Sequence, residues 1–242
     1  MAINAVIFDF NGILVDDESL HFALFSEILA KEGVILSHRD YVDRYLGYDD
    51  RKCFETVLLD SQRSADPEHI NWLISQKARR YVEVAGDGLR FFPAAGETLG
   101  TLAARWPLAI CSGALRAEIE YSLKLLDRLD QVAVIISAED TTKCKPHPEG
   151  YQLALAALRS QAGNGKGATC NGAEKLIGLT PVNCLVVEDS LAGIISAKSA
   201  GMWALGVPNT YSAQQLLEAG ADDVVPGLED LTPAWIDLRF AS

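Results

Sequence analysis

The stretch A-V-I-F-D-F-N-G-I-L-V-D-D at positions 5–17 decides the fold and contains the first candidate functional residues. Its first six residues are apolar apart from Asp9, which predicts a strand over Ala5–Phe10. A nearly continuous apolar run is typical of a strand buried on both faces of a parallel sheet. Asp9, Asn11 and Gly12 stand at the end of this run. Ligands bind at that edge of an open parallel sheet, so we expect these residues to face a ligand.

Similar apolar runs recur along the chain, separated by segments with helical spacing. They predict further strands at Leu108–Cys111, Val132–Ile136, Asn183–Val187, Trp203–Gly206 and Asp223–Val225. The segments between them predict helices at Glu97–Arg105, Leu115–Leu126, Pro148–Arg159, Leu191–Ala200 and Ala213–Ala219. Alternating strands and helices predict an α/β fold with a doubly wound, Rossmann-like parallel sheet.

One long interval, from about Asp16 to about Leu89, shows helical periodicity and no strand signal. Helices are predicted there at Leu20–Lys31, Arg39–Tyr45, Arg51–Leu59 and Glu68–Val84. We expect an all-helical cap domain over residues 15–89, inserted into a core domain formed by residues 1–14 and 90–242. The glycine-rich segment Ser160–Gly172 follows a helix and not a strand, so we expect a surface loop and not a nucleotide-binding turn.

Composition limits the partners and the compartment. The chain has 242 residues, with 21 Lys and Arg against 33 Asp and Glu and a net charge of −12. This excess of negative charge argues against nucleic acid or an anionic membrane as a partner. The five cysteines are widely spaced without a C-x-x-C pair, and the first residues lack the basic lead of a signal peptide. We expect a cytoplasmic protein, monomeric rather than an obligate oligomer.

Polar residues follow each of the first four predicted strands. Ser112 and Gly113 follow the second, Lys145 comes after the third, and Glu188 and Asp189 end the fourth. The carboxyl ends of parallel strands meet at one edge, so we expect these groups and Asp9 to converge. Carboxylates and a lysine at one edge fit a divalent cation and a phosphate group.

Four segments, taken in order, resemble the motifs of the haloacid dehalogenase superfamily. They are V-I-F-D-F-N-G-I-L-V-D, C-S-G, K-P-H-P and V-V-E-D-S-x-x-G, which begin at residues 6, 111, 145 and 186. The pattern L-V-D-D-E-x-x-H and the helical insertion after the first motif resemble the β-phosphoglucomutase-like phosphatase group of that superfamily. The resemblance covers about residues 5–210. It implies a Mg²⁺-dependent phosphatase acting on a small phosphorylated metabolite, such as a sugar phosphate.

The resemblance also implies a role for individual residues. Asp9 is the expected nucleophile, which forms an aspartyl-phosphate, and Lys145 is expected to neutralise the transferring group. The expected Mg²⁺ ligands are Asp9, the backbone carbonyl of Asn11, Asp189 and, directly or through water, Glu188. The expected phosphate- and substrate-binding residues are Ser112, Gly113, Arg116, His21, Gly47 and Lys77.

Simpler structural roles compete with several of these assignments. Asp9, Asp16 and Asp17 stand where turns and helix caps often use aspartate. Glu188 and Asp189 precede Ser190, so the three residues also fit the start of a helix. Lys77 and Arg116 lie on predicted helices, whose outer faces are ordinarily charged.

Asn11 departs from the resemblance, because most members of the family have an acid/base Asp at this position. An amide cannot donate or accept a proton near neutral pH. Three explanations stay open: Asp17 or His21 replaces the missing acid, the protein binds phosphate esters with impaired turnover, or Asn11 was introduced to trap a ligand. A phosphomutase is an alternative that Asp50 disfavours, because the mutase has Arg there. A C–halogen hydrolase is disfavoured by the metal-type pair Glu188–Asp189.

Overall fold

The computed structural model describes residues 2–46, 48–86, 88–161 and 173–240. Gly47 and most of the predicted loop at 160–172 therefore lie outside the described residues. No helix within the described ranges is long and apolar enough to span a membrane.

A six-stranded parallel sheet forms the centre of the molecule, in the order β3-β2-β1-β4-β5-β6. The first strand lies in the middle, where Val6 pairs with Leu108 on one side and with Leu185 on the other. The strands are β1 Ala5–Phe8, β2 Leu108–Cys111, β3 Val132–Ile136, β4 Cys184–Glu188, β5 Trp203–Gly206 and β6 Asp223–Val224. The apolar runs therefore predicted every strand of the described sheet, and the doubly wound α/β fold is confirmed.

Helices cover both faces of the sheet. One face packs against α5 Ala95–Ala103, α6 Arg116–Leu125 and α10 Pro233–Phe240. The other face packs against α7 Glu149–Gln161, α8 Leu191–Ser199 and α9 Ala213–Glu218. The sequence analysis did not predict α10, whose Ile236 and Phe240 are buried beneath the sheet.

A helical layer is inserted between β1 and β2. It contains α1 Glu18–Lys31, α2 His38–Asp40, a π-helical turn at Tyr41–Tyr45, α3 Asp50–Asp60 and α4 Pro67–Ala85. The layer has an apolar cluster of its own, which includes Phe25, Phe54 and Leu73. No strand occurs in the described part of 16–89. The insertion is confirmed, and the domain boundaries at 14/15 and 89/90 stay predictions.

The starts of these inserted helices explain where several acids point. Asp49 precedes α3, and its carboxylate accepts a hydrogen bond of 2.7 Å from the Lys52 amide. Asp17 precedes α1 in the same way, but its carboxylate makes no capping hydrogen bond. The simple capping role therefore fails for Asp17, whose side chain is free to bond elsewhere.

Candidate active site

A cavity of about 500 Å³ lies between the carboxyl edge of the sheet and the inserted helices. Asp9 enters it from the end of β1, and Ser112 and Gly113 enter it from the end of β2. Lys145 reaches it from the segment after β3, and Asp189 lines it as the first residue after β4. The structure thus brings together the residues that the strand ends predicted.

Three carboxylates form an acidic centre at this edge. Asp9, Glu188 and Asp189 each offer an oxygen within 4.8 Å of the others, and all three are buried. Burial raises the pKa of Asp9 to about 7. The charge of Glu188 adds to this rise, and the charge of Lys145 opposes it. Burial likewise raises the pKa of Asp189 well above its usual range, and the charges of Glu188 and Asp9 add to this shift. A divalent cation among these oxygens would relieve that repulsion, so the donor set fits a metal ion.

Lys145 connects two of these acids. Its Nζ donates to Asp9 Oδ1 at 2.7 Å and to Glu188 Oε1 at 2.6 Å. Burial lowers the pKa of Lys145, but the two carboxylates outweigh burial and raise it well above its usual value. Lys145 is therefore a permanent cation beside the predicted nucleophile.

Both carboxylate oxygens of Glu188 accept hydrogen bonds from neighbouring side chains. Tyr151 donates to its Oε1 at 2.8 Å, and the Ser190 hydroxyl donates to its Oε2 at 2.8 Å. Ser190 also caps α8 by accepting a hydrogen bond from Gly193. Ser190 therefore takes the helix-start role, while Glu188 and Asp189 belong to the acidic centre, and their role as metal ligands stays a prediction. Because its oxygens already have these donors, Glu188 fits the indirect metal role better than the direct one.

Gly12 and Thr210 fix the position of the Asp189 carboxylate. The Thr210 hydroxyl donates to Asp189 Oδ2. A Cβ added at Gly12 would lie 2.0 Å from the same oxygen, and the φ of Gly12 is +77°. Only glycine leaves room for this carboxylate.

Asn11 forms a compact polar cluster with Asp17 and His21, the two candidate replacements for the acid/base Asp that is missing at position 11. Its Nδ2 donates to Asp17 Oδ1 at 2.9 Å and to Oδ2 at 3.0 Å, and lies 3.2 Å from His21 Nε2. Tyr81 donates to Asp17 Oδ2 at 2.7 Å. Ser112 donates to Asn11 Oδ1 at 3.3 Å, which connects this cluster to the predicted phosphate loop.

Hydrogen bonds keep Asp17 ionised. Burial raises its pKa, but His21 and the hydrogen bonds from Asn11 and Tyr81 outweigh burial and hold the pKa below its usual value. His21 Nε2 lies 3.1 Å from Asp17 Oδ2. Lys77 Nζ lies 2.7 Å from His21 Nδ1. Burial and the charge of Lys77 lower the pKa of His21, but Asp17 outweighs both and raises it.

Two predicted substrate-binding residues do not line the cavity. Lys77 is fully buried behind His21 and forms an ion pair of 2.6 Å with Asp50. Arg116 forms an ion pair of 2.6 Å with Asp140 and donates to the Ile135 carbonyl. Gly47, the third, lies outside the described residues.

Several polar residues of the site were missed by the sequence analysis. Tyr81 lies one helical turn after Lys77 on α4, so their shared face was visible in the spacing. Tyr151 and Thr210 gave no such signal, because each contacts the acidic centre from a distant part of the chain. Glu118 is buried on α6, and burial raises its pKa while the charge of Lys77 opposes the shift.

Residues 6–207 match the model of the haloacid dehalogenase-like hydrolases. The chain belongs to this family. It is therefore a hydrolase, as the ordered motifs predicted, and the resemblance stated from the sequence is confirmed.

Similar proteins agree with this assignment. Protein CbbY of Rhodobacter capsulatus is 29% identical, with 94% of this chain and 95% of CbbY covered. Validoxylamine A 7'-phosphate phosphatase of Streptomyces hygroscopicus subsp. limoneus is 28% identical, with 93% of each chain covered. The solved β-phosphoglucomutase of Clostridium difficile shares the fold with a TM-score of 0.78 at 21% identity, covering 99% of this chain and 97% of the other.

Proposed function

We propose that this hydrolase is a Mg²⁺-dependent phosphatase that cleaves a small phosphorylated metabolite, such as a sugar phosphate, through an aspartyl-phosphate on Asp9. One observation carries the proposal: the Asp9 carboxylate lies 2.7 Å from Lys145 Nζ and within 4.8 Å of oxygens of Glu188 and Asp189. The names of the similar phosphatases support the phosphate-ester class. We also propose residues 15–89 as the cap that covers this site.

The chemistry follows from these residues in two steps. In the first, an Asp9 oxygen attacks phosphorus, and the bond from phosphorus to the leaving oxygen breaks. In the second, water attacks phosphorus, which releases inorganic phosphate and restores Asp9. Mg²⁺, held by Asp9, Asp189 and the Asn11 carbonyl, would supply charge compensation for an anion attacking an anion. Lys145 neutralises the transferring group and keeps Asp9 in place, while Ser112 and the Gly113 amide bind its other oxygens.

A group other than Asn11 must donate the proton that the leaving oxygen takes up. We infer that the Asp17–His21 pair provides it, because both side chains contact the Asn11 amide at 2.9–3.2 Å. His21, whose pKa Asp17 raises, would donate its Nε2 proton to the leaving oxygen from the protonated ring, which Asp17 stabilises. The neutral ring would then take a proton from the attacking water. Asn11 then holds the pair in position instead of transferring the proton itself.

A second candidate is a phosphate-ester-binding protein with impaired turnover. It is favoured by the same cluster, because Asp17 accepts hydrogen bonds from Asn11 and Tyr81 and lies 3.1 Å from His21. A carboxylate whose pKa these groups hold below its usual value carries no proton to donate near neutral pH and is a weak base. Binding of phosphate would survive in that case, and chemical turnover would not.

A panel of phosphate esters assayed with and without Mg²⁺ separates the two candidates. The proposed enzyme releases phosphate only with Mg²⁺, and Asp17→Asn lowers kcat by about 10²–10⁴-fold. The impaired protein instead shows little release, and Asn11→Asp raises turnover strongly. Asp43→Asn, an exposed substitution on the same helical layer, serves as the matched control. Absence of both phosphate release and Mg²⁺-dependent phosphate binding would contradict both candidates.

A further inference from the structure

We propose that Glu118 is a positioning residue of this site: from the core, its carboxylate holds Lys77 of the inserted helices beside His21 and so fixes the orientation of the His21 ring. The inference rests on the proposed function, because His21 is the proposed proton donor to the leaving oxygen.

Glu118 lies where the core meets the inserted helices. Tyr121 of α6 packs against an apolar cluster that includes Tyr81 of α4. Glu118 stands one helical turn before Tyr121, and Lys77 stands one turn before Tyr81. Lys77 is 0% exposed and Glu118 is 1% exposed. The interface therefore buries a cation of the inserted helices and a carboxylate of the core.

A helix-start role explains only one oxygen of the Glu118 carboxylate. Its Oε2 accepts a hydrogen bond of 3.3 Å from the Leu115 amide, at the start of α6. Its Oε1 is buried and has no hydrogen-bond partner among the described residues, which is unfavourable for a carboxylate. Burial raises the pKa of Glu118, and the charge of Lys77 is the main influence that opposes this rise. Lys77 is therefore the cation that stabilises an ionised Glu118 in the interface.

Lys77 is attracted by acids on both sides of the interface. Its Nζ lies 2.6 Å from Asp50 Oδ1, within the inserted helices. Burial lowers the pKa of Lys77, but Asp50 and then Glu118 outweigh burial and raise it. No ion pair joins Lys77 to Glu118 in the described structure, so Glu118 acts through its charge and not through a direct bond. This second attraction, from the core, opposes displacement of Lys77 towards Asp50.

The position of Lys77 matters because it contacts the His21 ring. Lys77 Nζ lies 2.7 Å from His21 Nδ1, and Asp17 Oδ2 lies 3.1 Å from His21 Nε2, so the two contacts together orient the ring. When the ring is protonated, Lys77 and His21 repel each other, and the negative charge of Glu118 offsets part of that repulsion. Misplacing a reacting group by about 1 Å lowers the rate by up to about 10²-fold. Loss of the Glu118 charge should therefore weaken proton donation by His21.

The test is Glu118→Gln, which keeps the hydrogen bond at the start of α6 and removes the charge. We compare glucose 6-phosphate, whose leaving oxygen needs a proton, with p-nitrophenyl phosphate, whose leaving oxygen is stable as an anion. With Mg²⁺, kcat/KM should fall about tenfold or more for glucose 6-phosphate and less than about threefold for p-nitrophenyl phosphate. In a His21→Asn background, Glu118→Gln should change kcat/KM for glucose 6-phosphate by less than about twofold, because its effect passes through His21.

Glu120→Gln is the matched control. Glu120 lies two residues further along α6 and so on a different face of the helix from Glu118. Its substitution should leave kcat/KM for both esters unchanged. The ¹⁵N NMR signals of the His21 ring report its hydrogen bonding without any turnover, and they should move in Glu118→Gln but not in Glu120→Gln.

Three outcomes would overturn the inference. They are an unchanged kcat/KM for glucose 6-phosphate in Glu118→Gln, a loss of equal size for both esters or in the His21→Asn background, and unchanged His21 signals. Failure of the parent protein to hydrolyse either ester contradicts the proposed phosphatase, and the His21 signals then decide the role of Glu118 by themselves.

Discussion

At the scale of single residues, Gly12 is the position with the least tolerance for change. Its φ of +77° and the 2.0 Å between an added Cβ and Asp189 Oδ2 leave no room for alanine. We expect Gly12→Ala to lose about 1–2 kcal/mol through backbone strain and more through displacement of Asp189. Urea unfolding measures the stability, and calorimetry measures Mg²⁺ binding, which should be weakened strongly.

Gly178 provides the control for Gly12. Its φ is +70°, but an added Cβ there has no neighbour within 4 Å. Gly178→Ala should therefore show the backbone cost alone and bind Mg²⁺ like the parent protein. Normal Mg²⁺ binding by Gly12→Ala would show that Asp189 does not hold the ion.

The residue scale also shows what the sequence could not predict. Asp17 and His21 were identified as replacements for the acid at position 11, and the structure places both against Asn11. Their fixed geometry depends on Tyr81 and Lys77, which lie more than fifty residues further along the chain. Such contacts come from helix packing, which periodicity alone does not specify.

At the scale of elements, Lys77 connects the inserted helices. From α4 it reaches His21 on α1 and Asp50 on α3, and it is fully buried. We expect Lys77→Met to destabilise the protein by about 3–5 kcal/mol, because Lys77 is fully buried and its loss leaves the half-buried Asp50 without its cation. Thermal and urea unfolding measure the loss.

Lys31→Met is the matched control, because Lys31 forms an exposed pair with Glu27 on α1. That substitution should change stability by about 1 kcal/mol or less. A similar loss of unfolding free energy in both variants would contradict the claim that the buried Lys77–Asp50 pair stabilises the protein more than an exposed pair does.

Apolar periodicity predicted the elements well and their side-chain partners poorly. Strands β1 to β5 were visible because buried parallel strands are almost wholly apolar. Helix α10 was missed because Ile236 and Phe240 are its only buried residues. Lys77 and Arg116 were expected at the substrate, but ion pairs with Asp50 and Asp140 hold them elsewhere.

At the scale of the whole molecule, the acidic centre makes stability depend on pH and Mg²⁺. The folded-state pKa of Asp9 is raised from 3.8 to about 7. The contribution of Asp9 to stability is therefore complete below pH 3.8 and is lost as the pH rises through about 7. We expect the metal-free protein to lose stability over that range.

Mg²⁺ should reverse this loss, because it binds the ionised form of the folded protein. At a concentration of about one hundred times Kd, the gain is about 2.7 kcal/mol. Melting temperatures measured with Mg²⁺ and with NaCl at equal ionic strength should differ more at high pH than at low pH. A difference independent of pH would contradict the assignment of the ion to these carboxylates.

The central claim is that Asp9 carries the phosphoryl group during turnover. It is tested most directly by rapid acid quenching of the enzyme during hydrolysis of a phosphate ester, followed by peptide mass spectrometry. We predict one phosphoryl group on the peptide containing Asp9, present with Mg²⁺ and absent both without it and in Asp9→Asn. Phosphate release that persists in Asp9→Asn, or a phosphoryl group on another residue, would contradict the account.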